Sequence, residues 1–161
     1  MTNKSGIYEE CFKEITEKLK DMDIHEKMEI ICKVFKKRIP YYFWVGFYFP
    51  RGEFLELGPS MGPPACNRIA MTGVCGRVIK ERRAIIVPDV RKFPGHITCD
   101  PRSKSEIALP VFDSKGNIIA VFDVDSKELG SFDERDREWL ERILGYVFSG
   151  DEGRSNDTYD N

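Results

Sequence analysis

The sequence has no long apolar run, no surplus of either charge and no paired-cysteine motif, and each absence removes a class of protein. Its longest apolar stretch, "YYFWVGFYF", is about half of what a membrane-crossing helix needs. The opening "MTNKSGIYEE" lacks the apolar core of an export signal. A cytoplasmic chain with no membrane partner is therefore expected. Lysine and arginine total 25 against 27 acidic residues, a formal charge of −2. That balance offers no broad basic face, so nucleic acid is not expected as a partner. No internal repeat, zinc-ribbon cysteine pair or phosphate-binding glycine signature occurs.

What remains is 161 residues, 41% of them hydrophobic, enough for one domain with a real core. A single domain over 1–150 is expected, followed by a polar tail, "DEGRSNDTYDN" at 151–161, of a composition that does not fold. Apolar residues recur at helical spacing through Ile7, Cys11, Ile15 and Leu19, and again through Met28, Ile31, Phe35 and Ile39. Pro40 ends the second helix. "YFWVGFYFP" is short and aromatic and reads as a strand, with "FLELGPS" as its antiparallel partner across "PRGEF". A helix is predicted from Ile69 to Lys80, entered through a glycine-rich turn. "AIIVPDV" is a further strand, and "SEIALPVFD" and "IIAVFDVDS" flank "SKGN" as a hairpin. A closing helix, capped by Asp133 or Ser131, presents Trp139, Leu140, Ile143 and Val147. Helices followed by an antiparallel sheet and a final helix make an α+β order.

Five cysteines without an export signal point to reduced thiols rather than a disulfide framework. Cys11 and Cys32 sit inside helical patterns and read as small buried hydrophobes. Cys66, Cys75 and Cys99 lie among glycines, prolines and charges, where packing alone explains less. Together with His96 they make four potential zinc ligands, but only His96 and Cys99 have the close spacing that structural zinc uses, so no metal is expected. Arg68, Arg77, His96 and Arg102 are the cations near enough in sequence to favour a thiolate. Strand alternation places Asp123 and Asp125 on one face, and Trp44 and Tyr48 on one face. By residue type alone the aromatics are core or pocket wall, and the carboxylates are solvated charges or cavity lining.

The segments "WVGFY", "GPPACNRI", "GVCG", "VPDVRKFPGHITCDPRSKSEIALPV" and "FDVDS…FDERD" resemble the GAF domains, and within them the free methionine-R-sulfoxide reductases. The resemblance runs from about Tyr42 to Trp139. It implies a GAF-like α+β fold: a central six-stranded antiparallel sheet, helices on one face, and a loop-closed ligand pocket on the other. It also implies thiol-dependent reduction of free methionine sulfoxide without an organic cofactor, electrons from thioredoxin or a similar dithiol, and a homodimer, which members of the family often form. Cys99, in the H-I-x-C-D motif, matches the attacking thiol. Cys66 matches the resolving thiol, and Cys75 is an alternative because the spacing from Cys66 to Cys75 is one residue shorter than the family pattern. Glu106, Asp123 and Asp125 match the residues that hold the substrate ammonium, and Trp44 and Tyr48 match an aromatic wall around its methyl group. The same pocket without turnover would make a stand-alone small-molecule or redox sensor.

Overall fold

The computed structural model describes residues 3–150, so the tail at 151–161 lies outside the described residues. Two helices open the chain, α1 (Lys4–Lys18) and α2 (Ile24–Arg38). Asp23 starts the second by a capping box: its carboxylate accepts from the Glu26 backbone N–H, and Glu26 reaches back to the Asp23 N–H. They bury Tyr8, Cys11 and Ile15 from one, and Met28, Ile31 and Phe35 from the other.

Six strands follow: β1 (Trp44–Arg51), β2 (Phe54–Met61), β3 (Arg68–Ala70), β4 (Ile85–Val87), β5 (Ser105–Phe112) and β6 (Ile118–Ser126). They pair antiparallel in the order β3-β2-β1-β6-β5-β4. Helix α3 (Val74–Glu81) lies between β3 and β4 in the chain, and α4 (Glu134–Leu144) follows β6. The predicted helix from Ile69 to Lys80 is thus two elements. Residues 68–70 pair with β2, Ile69 opposite Leu55, and the helix begins only after Gly73. Three residues are too few to display alternation, which is why the strand is hidden in the sequence.

Alternation along the central strands sorts the side chains into two cores. Val45, Phe47, Ile107, Leu109, Phe122 and Val124 join the buried faces of α1, α2 and α4. Each fully buried aromatic or aliphatic side chain there contributes roughly 1.5–3 kcal/mol. The opposite parity, including Trp44, Tyr48, Ala108 and Val121, packs with Leu55 of β2 and with Val74, Cys75 and Val78 of α3. The second face is therefore covered by loops and by one short helix.

Asp136 ties the helical layer together. Although wholly buried, its carboxylate accepts hydrogen bonds from Tyr8 (2.7 Å), Tyr41 (2.6 Å), Lys4 (2.6 Å) and the Asp133 backbone N–H (2.8 Å). It thereby caps α4 and joins it to α1 and to the link between α2 and β1. Among the described residues no helix is long and apolar enough to cross a membrane.

Candidate active site

The loop-covered face of the sheet carries two cross-strand rows. In one, Trp44 of β1 stands opposite Asp125 of β6, which stands opposite Glu106 of β5. In the next, Gly46 stands opposite Asp123, which stands opposite Ala108. Asp123 thus has a glycine on one side and an alanine on the other. Gly46 makes room within its own strand, since a Cβ there would lie 2.5 Å from the Trp44 indole, which folds back along β1 toward Tyr48. The two rings come to 5.9 Å between centroids. The Tyr48 hydroxyl donates to the Cys66 carbonyl at 3.0 Å, anchoring the aromatic wall to the loop before β3.

That loop is bonded to another. Cys66 and Cys99 form a disulfide, with Cα atoms 5.6 Å apart, and Cys99 belongs to the long loop between β4 and β5. The long loop is held over the sheet at Gly95, whose φ of +80° suits glycine and where a Cβ would meet the Thr72 carbonyl oxygen at 2.4 Å. His96 follows, its Nε2 3.7 Å from a Glu106 carboxylate oxygen. Beneath, α3 presents Cys75, which is unbonded and buried. Its sulfur and one oxygen from each of Glu106 and Asp123 all lie within 4.8 Å of one another.

These parts line a narrow pocket of about 60 Å³ that opens to solvent. Trp44, Tyr48, Ala65, Ile69 and Ile97 supply apolar lining. Cys75, Glu106, Asp123 and Asp125 supply polar groups, and Cys99 lies at the edge. All eight candidate site residues named from the sequence are thus gathered at one place: seven line the cavity, and Cys66 is bonded to Cys99 and accepts from Tyr48.

Burial dominates the electrostatics. It pushes Glu106 up to about 8, helped by the Asp125 charge. Burial followed by the Glu106 charge pushes Asp123 well above the usual carboxylate range, and burial followed by the Asp123 charge does the same to Asp125. The Cys75 thiol is driven up by burial and then by Asp123, whereas burial lowers His96. Among the described residues, Asp123 Oδ1 is buried without any hydrogen-bond partner. Such a cluster holds protons when the cavity is empty and ionises when a cation enters. Protonated, a carboxyl is a donor; ionised, it accepts from an ammonium.

Of the cations expected near the thiols, only His96 lines the cavity. Arg68 lies over the Phe54 ring, Arg77 over Phe93, and Arg102 is paired with Asp100 at 2.8 Å. The sequence reading did not anticipate Phe43, which lines the mouth beneath Arg102 and Lys127. It precedes the first residue of β1, so strand parity does not govern where its ring goes.

Residues 21–147 match the model of the GAF domain family. A GAF domain-containing protein A of Dictyostelium discoideum is 54% identical over 105 residues, covering 64% of this chain and 66% of that protein. A free methionine-R-sulfoxide reductase of Saccharomyces cerevisiae is 41% identical over 108 residues, 65% of this chain and 60% of that one. The matched stretch spans just under two thirds of these curated relatives. A crystal structure of free methionine-R-sulfoxide reductase from Neisseria meningitidis in complex with its substrate superposes with a TM-score of 0.83 at 35% identity, covering 89% of this chain and 87% of that one.

Proposed function

The chain belongs to the GAF domain family, and we propose that it reduces free methionine-R-sulfoxide to methionine, with Cys99 as nucleophile and Cys66 as resolving thiol. The observation that carries this reading is the Cys66–Cys99 bond beside a cavity lined by Glu106, Asp123 and Asp125. The likeness to reductases of that name supports it.

The substrate ammonium sits among the three carboxylates, and its methyl group lies against Trp44 and Tyr48. The Cys99 thiolate attacks the sulfoxide sulfur. The sulfur–oxygen bond breaks, oxygen passes to Cys99, and one proton from Glu106 or Asp125 completes a sulfenic acid as methionine leaves. One ammonium charge compensates only one of the three carboxylates, so a group held up at about 8 in the empty cavity keeps a proton to donate at neutral pH. The Cys66 thiol then captures the sulfenic acid, releasing water and forming the disulfide. A dithiol of the thioredoxin type returns both cysteines to thiols in the cytoplasm, and no organic cofactor enters the cycle. Cys75 is the alternative resolver, but its raised pKa disfavours the thiolate that resolution needs.

Turnover of the separate R and S epimers, coupled to NADPH through thioredoxin reductase and thioredoxin, tests this function. Consumption with the free R epimer, and not with the S epimer or a peptide-bound sulfoxide, is expected. Binding of the amino acid with no consumption would leave the sensor reading in its place.

A further inference from the structure

Cys75, Glu106 and Asp123 form a cluster that the proposed reaction only partly uses. The zinc set considered from the sequence relied on Cys66 and Cys99, and those two sulfurs are committed to each other. A different set has taken shape. One sulfur and two carboxylate oxygens converge within 4.8 Å from three separate elements, α3, β5 and β6. In addition, Asp123 Oδ1 is left without a partner in a residue that is only 6% exposed. An acceptor in a buried cluster with no donor aimed at it marks a place where a proton or a cation belongs.

We propose that Cys75, Glu106 and Asp123 are a three-donor site for a thiophilic divalent cation, zinc or cadmium, that closes the cavity to amino-acid ligands. One thiolate and two carboxylates, with the cavity side open for a water, make the three-plus-one arrangement that zinc accepts. The sulfur selects zinc or cadmium over magnesium or calcium, which take oxygen alone. On binding, the Cys75 S–H bond breaks as the sulfur–metal bond forms, and the thiol proton leaves for solvent with any held by the two carboxyls. A divalent charge also neutralises the carboxylates crowded on this face. Cys66 and Cys99 are not donors, so the site persists in the disulfide form. Competition with an amino acid rests on the ammonium position proposed above, whereas metal binding itself does not.

Cadmium chloride titrated into the full chain with the Cys66–Cys99 bond intact tests the site. One cadmium per chain is expected, with sulfur-to-cadmium charge-transfer absorption, proton release, and slower modification of Cys75 by methyl methanethiosulfonate while Cys11 and Cys32 are unaffected. Cys75→Ser should remove the absorption, and Asp123→Asn should weaken binding by about tenfold or more. Absence of the absorption in the unaltered protein, or protection that falls on Cys11 or Cys32, would overturn the proposal even if a variant fails to fold. If cadmium binds as expected but free methionine does not displace it, the metal site stands, while its closing of the cavity is overturned together with the ammonium assignment on which that rests.

Discussion

Glu106 and Asp125 face each other directly across the β5–β6 ladder, two carboxylates on the same side of the sheet. Like charges so placed repel, and Asp123 lies on the same face one row away. The arrangement is at ease when the groups are protonated or when a cation sits among them, so its energetics follow the proton and the ligand together.

The first prediction is the resulting pH dependence. Glu106 moves from 4.5 to about 8 on folding, and Asp123 and Asp125 move upward too. Between those limits the folded chain keeps protons that the unfolded chain has lost, so stability is full below 4.5 and falls as pH rises toward 8. His96, lowered from 6.5, acts oppositely below that value, and Glu14, held at about 2 by Lys18, Lys37 and Arg38, acts only in stronger acid. The ligand-free protein should therefore melt at progressively lower temperature from pH 6.5 to 8, and Glu106→Gln should flatten the slope. A melting temperature that climbs across that interval contradicts the assignment.

The second concerns the two bonded cysteines. Cys99→Ser should abolish turnover without unfolding the chain, because a hydroxyl is a far poorer nucleophile at neutral pH. Cys66→Ser should still complete one stoichiometric reduction and then stop, since the sulfenic acid has lost its resolving partner. Single-turnover methionine yield against steady-state rate separates the two. If Cys75→Ser rather than Cys66→Ser gives the stalled phenotype, the resolver has been misassigned.

A third rests on Gly46. An added methyl group at this position collides with the Trp44 indole and with the Ser60 Cβ at 2.7 Å. Gly46→Ala should cost about 1–3 kcal/mol of stability by overpacking and should raise KM by displacing the aromatic wall. Calorimetry and initial rates report the two effects separately, and an unchanged KM would remove Trp44 from the pocket wall.

Fourth, Asp136→Ala should destabilise the chain by about 3–5 kcal/mol, because it leaves the Lys4 ammonium without its buried partner and Tyr8 and Tyr41 without their acceptor. Tyr41→Phe, which removes one hydrogen bond, should cost only about 1 kcal/mol. Chemical denaturation measures both, and comparable losses would show that the network carries no special weight.

The sequence makes some of this site readable and hides the rest for identifiable reasons. Strand alternation alone places Asp123 beside Asp125 and Trp44 beside Tyr48, because the period of a strand is local information. The β3 strand is too short to show a period. The meeting of Cys75 with Glu106 and Asp123 depends on how α3 seats against β5 and β6, which no local pattern encodes. The same is true of the three arginines near the thiols: their sequence neighbours suggest a role, and their aromatic and acidic contacts take them elsewhere.

The strands β3 and β4 are the two edges of the sheet, and Cys66 and Cys99 sit in the loops beside them, one just before β3 and the other after β4. The bond between them therefore completes a hoop: six hydrogen-bonded strands form the floor, the long loop leaving the β4 edge passes overhead, and the disulfide fastens it to the loop at the β3 edge. By closing a loop of 33 residues it also restricts the unfolded chain, by roughly 3–4 kcal/mol in the chain-entropy picture. Oxidation and reduction thus act on the molecule as a clasp acts on a bracelet, tightening the whole circumference from a single point.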